Sequence, residues 1–315
     1  MTNRQTFHDD MKSREDPQTS RLSGFKERDS YCYPADHNTI PDAAGRRISR
    51  RQLEDILLCL SDRDKAILTS LQSCRYLTTE QIQRLHFIEA STRSAALRAA
   101  SRNLNKLKNS GLIDNLDRRI GGVRAGSASF VWRLSTAGQH LLRLTDSRIY
   151  AHKKPFEPSP HFLAHTLASA ECFIRLSEIG RDQGMKLTEL QMEPDCWRPY
   201  NSAGKIVSLK PDLFAVTVCG NYEDRWFFEI DLDTESPVRI IEKCNRYHKY
   251  YQSGLEQKQY GVFPLVVWIV PDVKRKLALE EHIGAEFSKL PNIFTVITSE
   301  ELEPLIQQGL EGITL

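Results

Sequence analysis

The 315-residue sequence has no apolar run approaching the roughly 18 residues that a membrane-spanning helix requires. Its longest apolar stretch, residues 262–270, is interrupted by Pro264 and reads as a buried strand. Residues 1–30 are polar and charged and offer no apolar core of a secretory signal, so none is expected. The seven cysteines are odd in number and widely spaced, and they contain no C-x-x-C pair. A disulfide framework or zinc ribbon is therefore not expected, and a reducing, cytoplasmic setting is, with no membrane partner. Walker loops, dinucleotide fingerprints and serine nucleophile elbows are also missing. The glycines at 121, 122 and 126 lack the strand–turn–helix setting that a phosphate loop needs.

What is present is an uneven charge distribution beneath a net charge of +2. Residues 1–50 hold 9 Lys/Arg and 8 Asp/Glu, residues 51–150 hold 16 and 9, and residues 151–315 hold 18 and 24. A basic middle joined to an acidic C-terminal half suggests a nucleic-acid-binding module attached to a second unit. The first fifty residues carry few large apolar side chains, without a period, and read as a disordered tail. Pro155, Pro158 and Pro160 mark residues 148–160 as a linker. The expected organisation is thus a tail (1–50), a domain at 51–147, the linker, and a second domain at 161–315.

Within 51–147, Ser61 followed by Asp64 signals a capped helix, Thr79 opens a second, and Ser91 can cap a third running to Gly111. Apolar positions 96, 97, 100, 104 and 107 give the third helix one buried face, and its other face is basic. Two strand-like runs then flank a Gly-rich, Arg-rich turn. Three helices followed by a hairpin is the order of a winged helix-turn-helix, whose third helix enters the major groove. Between Arg84 and Arg133 lie ten basic and three acidic residues, the excess that phosphate binding requires. Thr92, Arg93, Ser94 and Arg98 at the front of that helix are candidates for base edges. Arg102 extends the basic face, and Arg119 and Arg124 in the wing suit phosphate or the minor groove. Double-stranded DNA is the implied partner. The competing reading is a winged helix used for protein contact, its arginines merely solvated.

The second domain reads as a long helix from about His161, three strands (186–190, 207–218 and 225–232), a helix from Pro237, and then strand, helix, strand. This is an α+β or α/β mixed sheet flanked by helices. Its candidate chemistry sits on two strands. Pro211-Asp212 lies within one, and Glu229-Ile230-Asp231 ends the next, with Glu229 and Asp231 on one face by alternation. Hairpin pairing can bring Asp212 beside them. Three carboxylates, with Glu171 from the preceding helix as a possible fourth, form a hard-oxygen site suited to Mg²⁺ or Mn²⁺.

This arrangement resembles the restriction-endonuclease-like PD-(D/E)xK superfamily. More narrowly, residues 228–236 (FEIDLDTES) and 243–251 (KCNRYHKYY), together with the winged helix, resemble the replication-relaxation family. That family occurs on plasmids and other mobile elements and is related to plasmid mobilisation relaxases. The resemblance covers roughly residues 60–300 and implies a metal-dependent DNA nickase, acting at an origin region alongside relaxosome or replication proteins. The alternative is a DNA-binding accessory factor or repressor with a degenerate nuclease fold. In the first case Glu171, Asp212 and Glu229 hold metal, Asp231 and Glu235 complete the site, and Arg246 and Tyr247 belong to the motif. Where the superfamily has its lysine, two residues after the acid, this chain has Asp231, and Lys243 (or, less directly, Lys210) is the substitute that would face phosphate. Tyr247, Tyr250 and Tyr251 read as packed aromatics or, alternatively, as including a strand-transfer nucleophile. His161 and His165 share a helix face, without an evident third metal ligand.

Overall fold

The computed structural model describes residues 5–6, 39–41, 47–116, 130–146, 157–181, 184–202, 204–289 and 291–313. Most of the expected tail, most of the expected linker and the wing with Arg119 and Arg124 lie outside these residues. Among the described residues no helix is long and apolar enough to cross a membrane.

The N-terminal half is built from helices with local start signals. Ser49 and Ser61 open α1 (Arg50–Cys59) and α2 (Asp62–Cys74) through reciprocal capping boxes with Gln52 and Asp64. The first of these helices is not evident from the sequence pattern. After β1 (Leu77–Thr78), Thr78 caps α3 (Thr79–His86). The next helix, α4 (Arg93–Asn109), is capped by Thr92, whose Oγ1 accepts from the Ala95 amide at 3.2 Å, and not by Ser91. Two further strands, β2 (Ile113–Asn115) and β3 (Val131–Leu134), form an antiparallel sheet in the order β1–β3–β2. Ser135 then caps α5 (Thr136–Thr145), donating to the Gly111 carbonyl at 2.6 Å. A side chain at Gly138 would meet the Leu112 carbonyl oxygen at 2.1 Å, so this close approach requires glycine.

Ser159 and Pro160 start α6 (Pro160–Ile179), so the helix begins inside the stretch expected to be linker. There follow β4 (Met185–Met192), β5 (Arg198–Ser202), β6 (Lys205–Leu209), β7 (Leu213–Cys219) and β8 (Tyr222–Ile230). The strand expected over 207–218 is therefore two strands. Pro211 cannot donate to a ladder, and the segment Lys210-Pro211-Asp212 breaks it. The first half pairs with β5 as a separate two-stranded ribbon. Helices α7 (Pro237–Ser253) and α8 (Leu255–Tyr260), strand β9 (Leu265–Val270), α9 (Val273–Phe287), β10 (Phe294–Thr298) and α10 (Leu302–Gln308) complete the chain.

The result is a mixed α/β architecture with a five-stranded path β10–β9–β8–β7–β4. The β4/β7 and β7/β8 pairs are antiparallel, and β8/β9 and β9/β10 are parallel. The central strands are apolar on both faces because both are covered. Phe227, Val266 and Trp268 face α7 and α9, whereas Phe228, Leu213 and Val267 face α6. The α6-side core runs on without a break into Leu53, Ile67, Leu68 and Leu104 of the helical half. The described parts of the two expected domains thus share one core. A polar clamp reinforces the contact: Arg84 of α3 pairs with Glu171 and Glu178 of α6, and Arg181 donates to the carbonyls of Arg84 and Leu85.

Candidate functional site

The β7/β8 hairpin sets the geometry of the acidic cluster. Its register pairs Leu213 with Phe228, and one step further places Asp212 beside Glu229 at the strand end. The Asp212 amide donates to the Phe228 carbonyl at 3.1 Å, and the Asp212 Oδ2 accepts from the Ile230 amide at 2.8 Å. Glu229 points towards α7. Its Oε1 accepts from the Tyr247 hydroxyl at 2.6 Å, and its Oε2 lies 3.3 Å from the Lys243 Nζ. Lys243 also sits 3.2 Å from Glu235, and its charge faces the Trp268 ring. From α6, His165 Nε2 reaches Asp212 Oδ2 at 3.3 Å.

Burial makes these charges act strongly on one another. Asp212 is 8% exposed and Glu229 2%. Burial, and then the Asp212 charge, push the Glu229 carboxyl up to about 8, against the smaller opposing effects of Lys243 and Tyr247. Burial disfavours the Lys243 ammonium, but Glu229, Asp212 and Glu235 outweigh it and hold the lysine charged. The hydrogen bond from His165 to Asp212 raises the imidazole above its usual value, despite burial.

Two adjacent buried carboxylates whose mutual repulsion is only partly relieved suit a small hard cation. Mg²⁺ commonly takes one or two carboxylates and completes its shell with water and phosphate oxygens. Among the described residues no three His, Cys, Asp or Glu side chains are grouped to hold a metal ion, so the fit rests on the Asp212–Glu229 pair.

The other expected members stand apart from that pair. Asp231 is 3% exposed and committed to α9: its Oδ2 lies 2.6 Å from Arg275, which also pairs with Asp233 at 3.1 Å and donates to the Glu235 carbonyl at 2.7 Å. Glu171 is held by Arg84 and Gln81 of α3 and lines a cleft shared with Asp231, not with Asp212. The cleft beside Asp212 is lined by Arg75, His165, Met192 and Glu193. Lys210 turns away, its ammonium 4.1 Å from the Trp197 ring. Tyr247 is 1% exposed and bonded to Glu229, so it is a core aromatic in this state. Arg246 is exposed on α7. His161 bonds Thr234 Oγ1 at 3.0 Å.

Arg275 and Glu193 are beyond the reach of sequence reasoning. No spacing rule links Arg275 to an acid on another element. Glu193 adjoins a Pro-Asp in a turn, outside any strand pattern that would tie it to Asp212.

On α4 the basic residues divide. Arg93 is engaged by Glu80, Lys106 by buried Asp64, and Lys108 by Asn115. Ser94, Arg98 and Arg102 are exposed, and among the described residues neither Arg98 nor Arg102 has an ion-pair or hydrogen-bond partner. Thr92 is occupied by its capping bond.

A family model described as Replication-relaxation matches residues 68–266. No curated protein matches the chain. Among solved structures the chain is similar to restriction endonuclease FokI bound to DNA, at 15% identity and a TM-score of 0.24, over 82% of this chain and 50% of that one. It therefore spans half the length of that enzyme chain.

Proposed function

This chain belongs to the replication-relaxation family, and from that membership we propose that it is a DNA-processing protein of replication, carrying a metal-dependent strand-cleaving site. In this reading α2, α3 and α4 with the β1–β3–β2 sheet form a winged helix-turn-helix, and α4 enters the major groove of duplex DNA near an origin. Arg98 and Arg102 meet the DNA, with Ser94 beside them. Arg93 is engaged by Glu80, so it contributes less than its position at the helix front suggests. The α/β half is read as restriction-endonuclease-like, and plasmids or other mobile elements are the natural setting.

Asp212 and Glu229 hold Mg²⁺ or Mn²⁺. The bound metal would supply an activated water and charge stabilisation at the scissile phosphate. The chain's own residues do the rest. Lys243 presents a permanent positive charge to phosphate from the helix that follows, in place of the usual lysine two residues after the acid. His165 fixes the Asp212 carboxylate, and Tyr247 fixes that of Glu229. Arg275 holds the loop that carries Glu235, and Glu235 in turn steadies Lys243. The observation that carries this reading is the meeting of Asp212, Glu229 and Lys243 from three separate elements.

The test is direct. Supercoiled plasmid is incubated with protein and Mg²⁺ or Mn²⁺, using the wild type, Asp212→Ala and Glu229→Ala. Metal-dependent nicking by the wild type that is abolished in both variants is expected. A second reading, a DNA-binding accessory factor or repressor, is favoured by the two protein donors already satisfying Glu229. Gel shifts without any cleavage by the wild type would establish it instead.

A further inference from the structure

The ribbon β5–β6 departs in charge and exposure from the domain that carries it. Residues 151–315 hold more acids than bases, yet residues 196–211 contain Arg198, Lys205 and Lys210 and no Asp or Glu. The ribbon lies outside the main sheet and ends three residues before Asp212. Its base is well anchored. Arg198 stacks over the Phe214 ring at 4.4 Å and reaches Glu256 at 3.5 Å, while Tyr200 packs on Tyr250 of α7 with ring centroids 5.2 Å apart.

The far end is bare. Lys205, Ile206, Val207 and Ser208 are exposed in succession, Ile206 to 73%. The register sets Ile206 opposite Asn201, on the face away from buried Tyr200. A large aliphatic side chain left in water near the tip of a ribbon whose own residues include cations and no acids fits a polyanion with apolar surfaces between its charges. DNA is that ligand: phosphates flank base steps, and exposed aliphatic wedges on DNA-binding proteins lie against such steps.

We infer that the β5–β6 ribbon is a second DNA-contacting element, with Ile206 against a base step of the DNA flanking the scissile phosphate and Lys205 against a neighbouring phosphate. Joined to Asp212 through Lys210 and Pro211, the ribbon then holds the strand relative to Asp212. This inference rests on the DNA-processing reading and adds to it a contact surface distinct from α4.

The experiment uses the full chain and a fluorescein-labelled 30-base-pair duplex, read by anisotropy at low salt, with wild type, Ile206→Asp, Lys205→Ala, Arg98→Ala and Leu277→Asp. Leu277 is also exposed (55%) on α9 and controls for added negative charge. Ile206→Asp is expected to weaken binding about tenfold and Lys205→Ala a few fold, with unchanged melting temperatures and with Leu277→Asp close to wild type. Wild-type affinity in both ribbon variants, or equal weakening in Ile206→Asp and Leu277→Asp, overturns the ribbon while leaving DNA binding through α4 intact. Absence of binding by the wild type itself overturns the DNA reading and the ribbon with it.

Discussion

The exposed face of α4 and the strand-end site of β7–β8 handle charge in opposite ways. On α4, Arg98 and Arg102 stand in solvent with no partner among the described residues. At the strand end each carboxylate is countered from within the chain: Asp212 by His165, Glu229 by Lys243 and Asp231 by Arg275. Exposed cations lose little by remaining unpaired, because water screens them. Buried carboxylates have no such recourse and must be bonded, protonated or bound to metal. The first region therefore leaves positive charge unengaged among the described residues, whereas the second balances its acids within the chain.

The largest expected effect concerns that balance. Lys243→Met should reduce plasmid nicking by about 10²–10³-fold, the usual cost of removing one charge aimed at the reacting group, with gel shifts unchanged. Equal nicking by wild type and variant would mean that the lysine serves only to neutralise Glu229. The α4 side is sharpened by the double variant Arg98→Ala/Arg102→Ala. It should weaken duplex binding and lower the slope of log K against log salt by about 2, one unit for each phosphate no longer neutralised. An unchanged slope would place the phosphate-binding cations elsewhere.

A smaller effect tests how the two regions are joined. Arg84 is partly exposed and pairs with both Glu171 and Glu178. Arg84→Met should cost about 1–2 kcal/mol, seen as a melting temperature lowered by a few degrees, with the isolated Asp212 chemistry intact. A further effect is one of pH. Burial, then the charges of Arg181 and Arg63, hold His86 to about 4 against its usual 6.5. Between these values the unfolded chain binds the proton and the folded chain does not. Stability is therefore fully present above pH 6.5 and declines as pH falls towards 4. His86→Gln should flatten that part of the slope in urea titrations at about pH 4.5, 5.5 and 7, and an unchanged slope would exclude this imidazole as its source.

Much of the scaffold is legible because its signals are local. Ser61 caps its helix where Asp64, three residues on, says it should. The closeness of Asp212 to Glu229 is also readable, since it follows from strand alternation and one short hairpin. Other features depend on distant partners. Arg275 reaches Asp231 across 44 residues, and Arg84 reaches Glu171 across 87. Both pairings redirect acids that alternation or a shared helix face would assign to one metal. The ribbon is hidden for a different reason: residues 207–218 read as one strand until the missing donor at Pro211 is weighed against their apolar character.

The central claim is that Asp212 and Glu229, but not Asp231, form a cation site. Titration of the wild type and of Asp212→Asn, Glu229→Gln and Asp231→Asn with Mn²⁺, followed by electron paramagnetic resonance, tests it most directly. One bound ion in the wild type and in Asp231→Asn, with none in the other two, is the predicted outcome. Retention of the ion in Asp212→Asn, or its disappearance in Asp231→Asn alone, would contradict it.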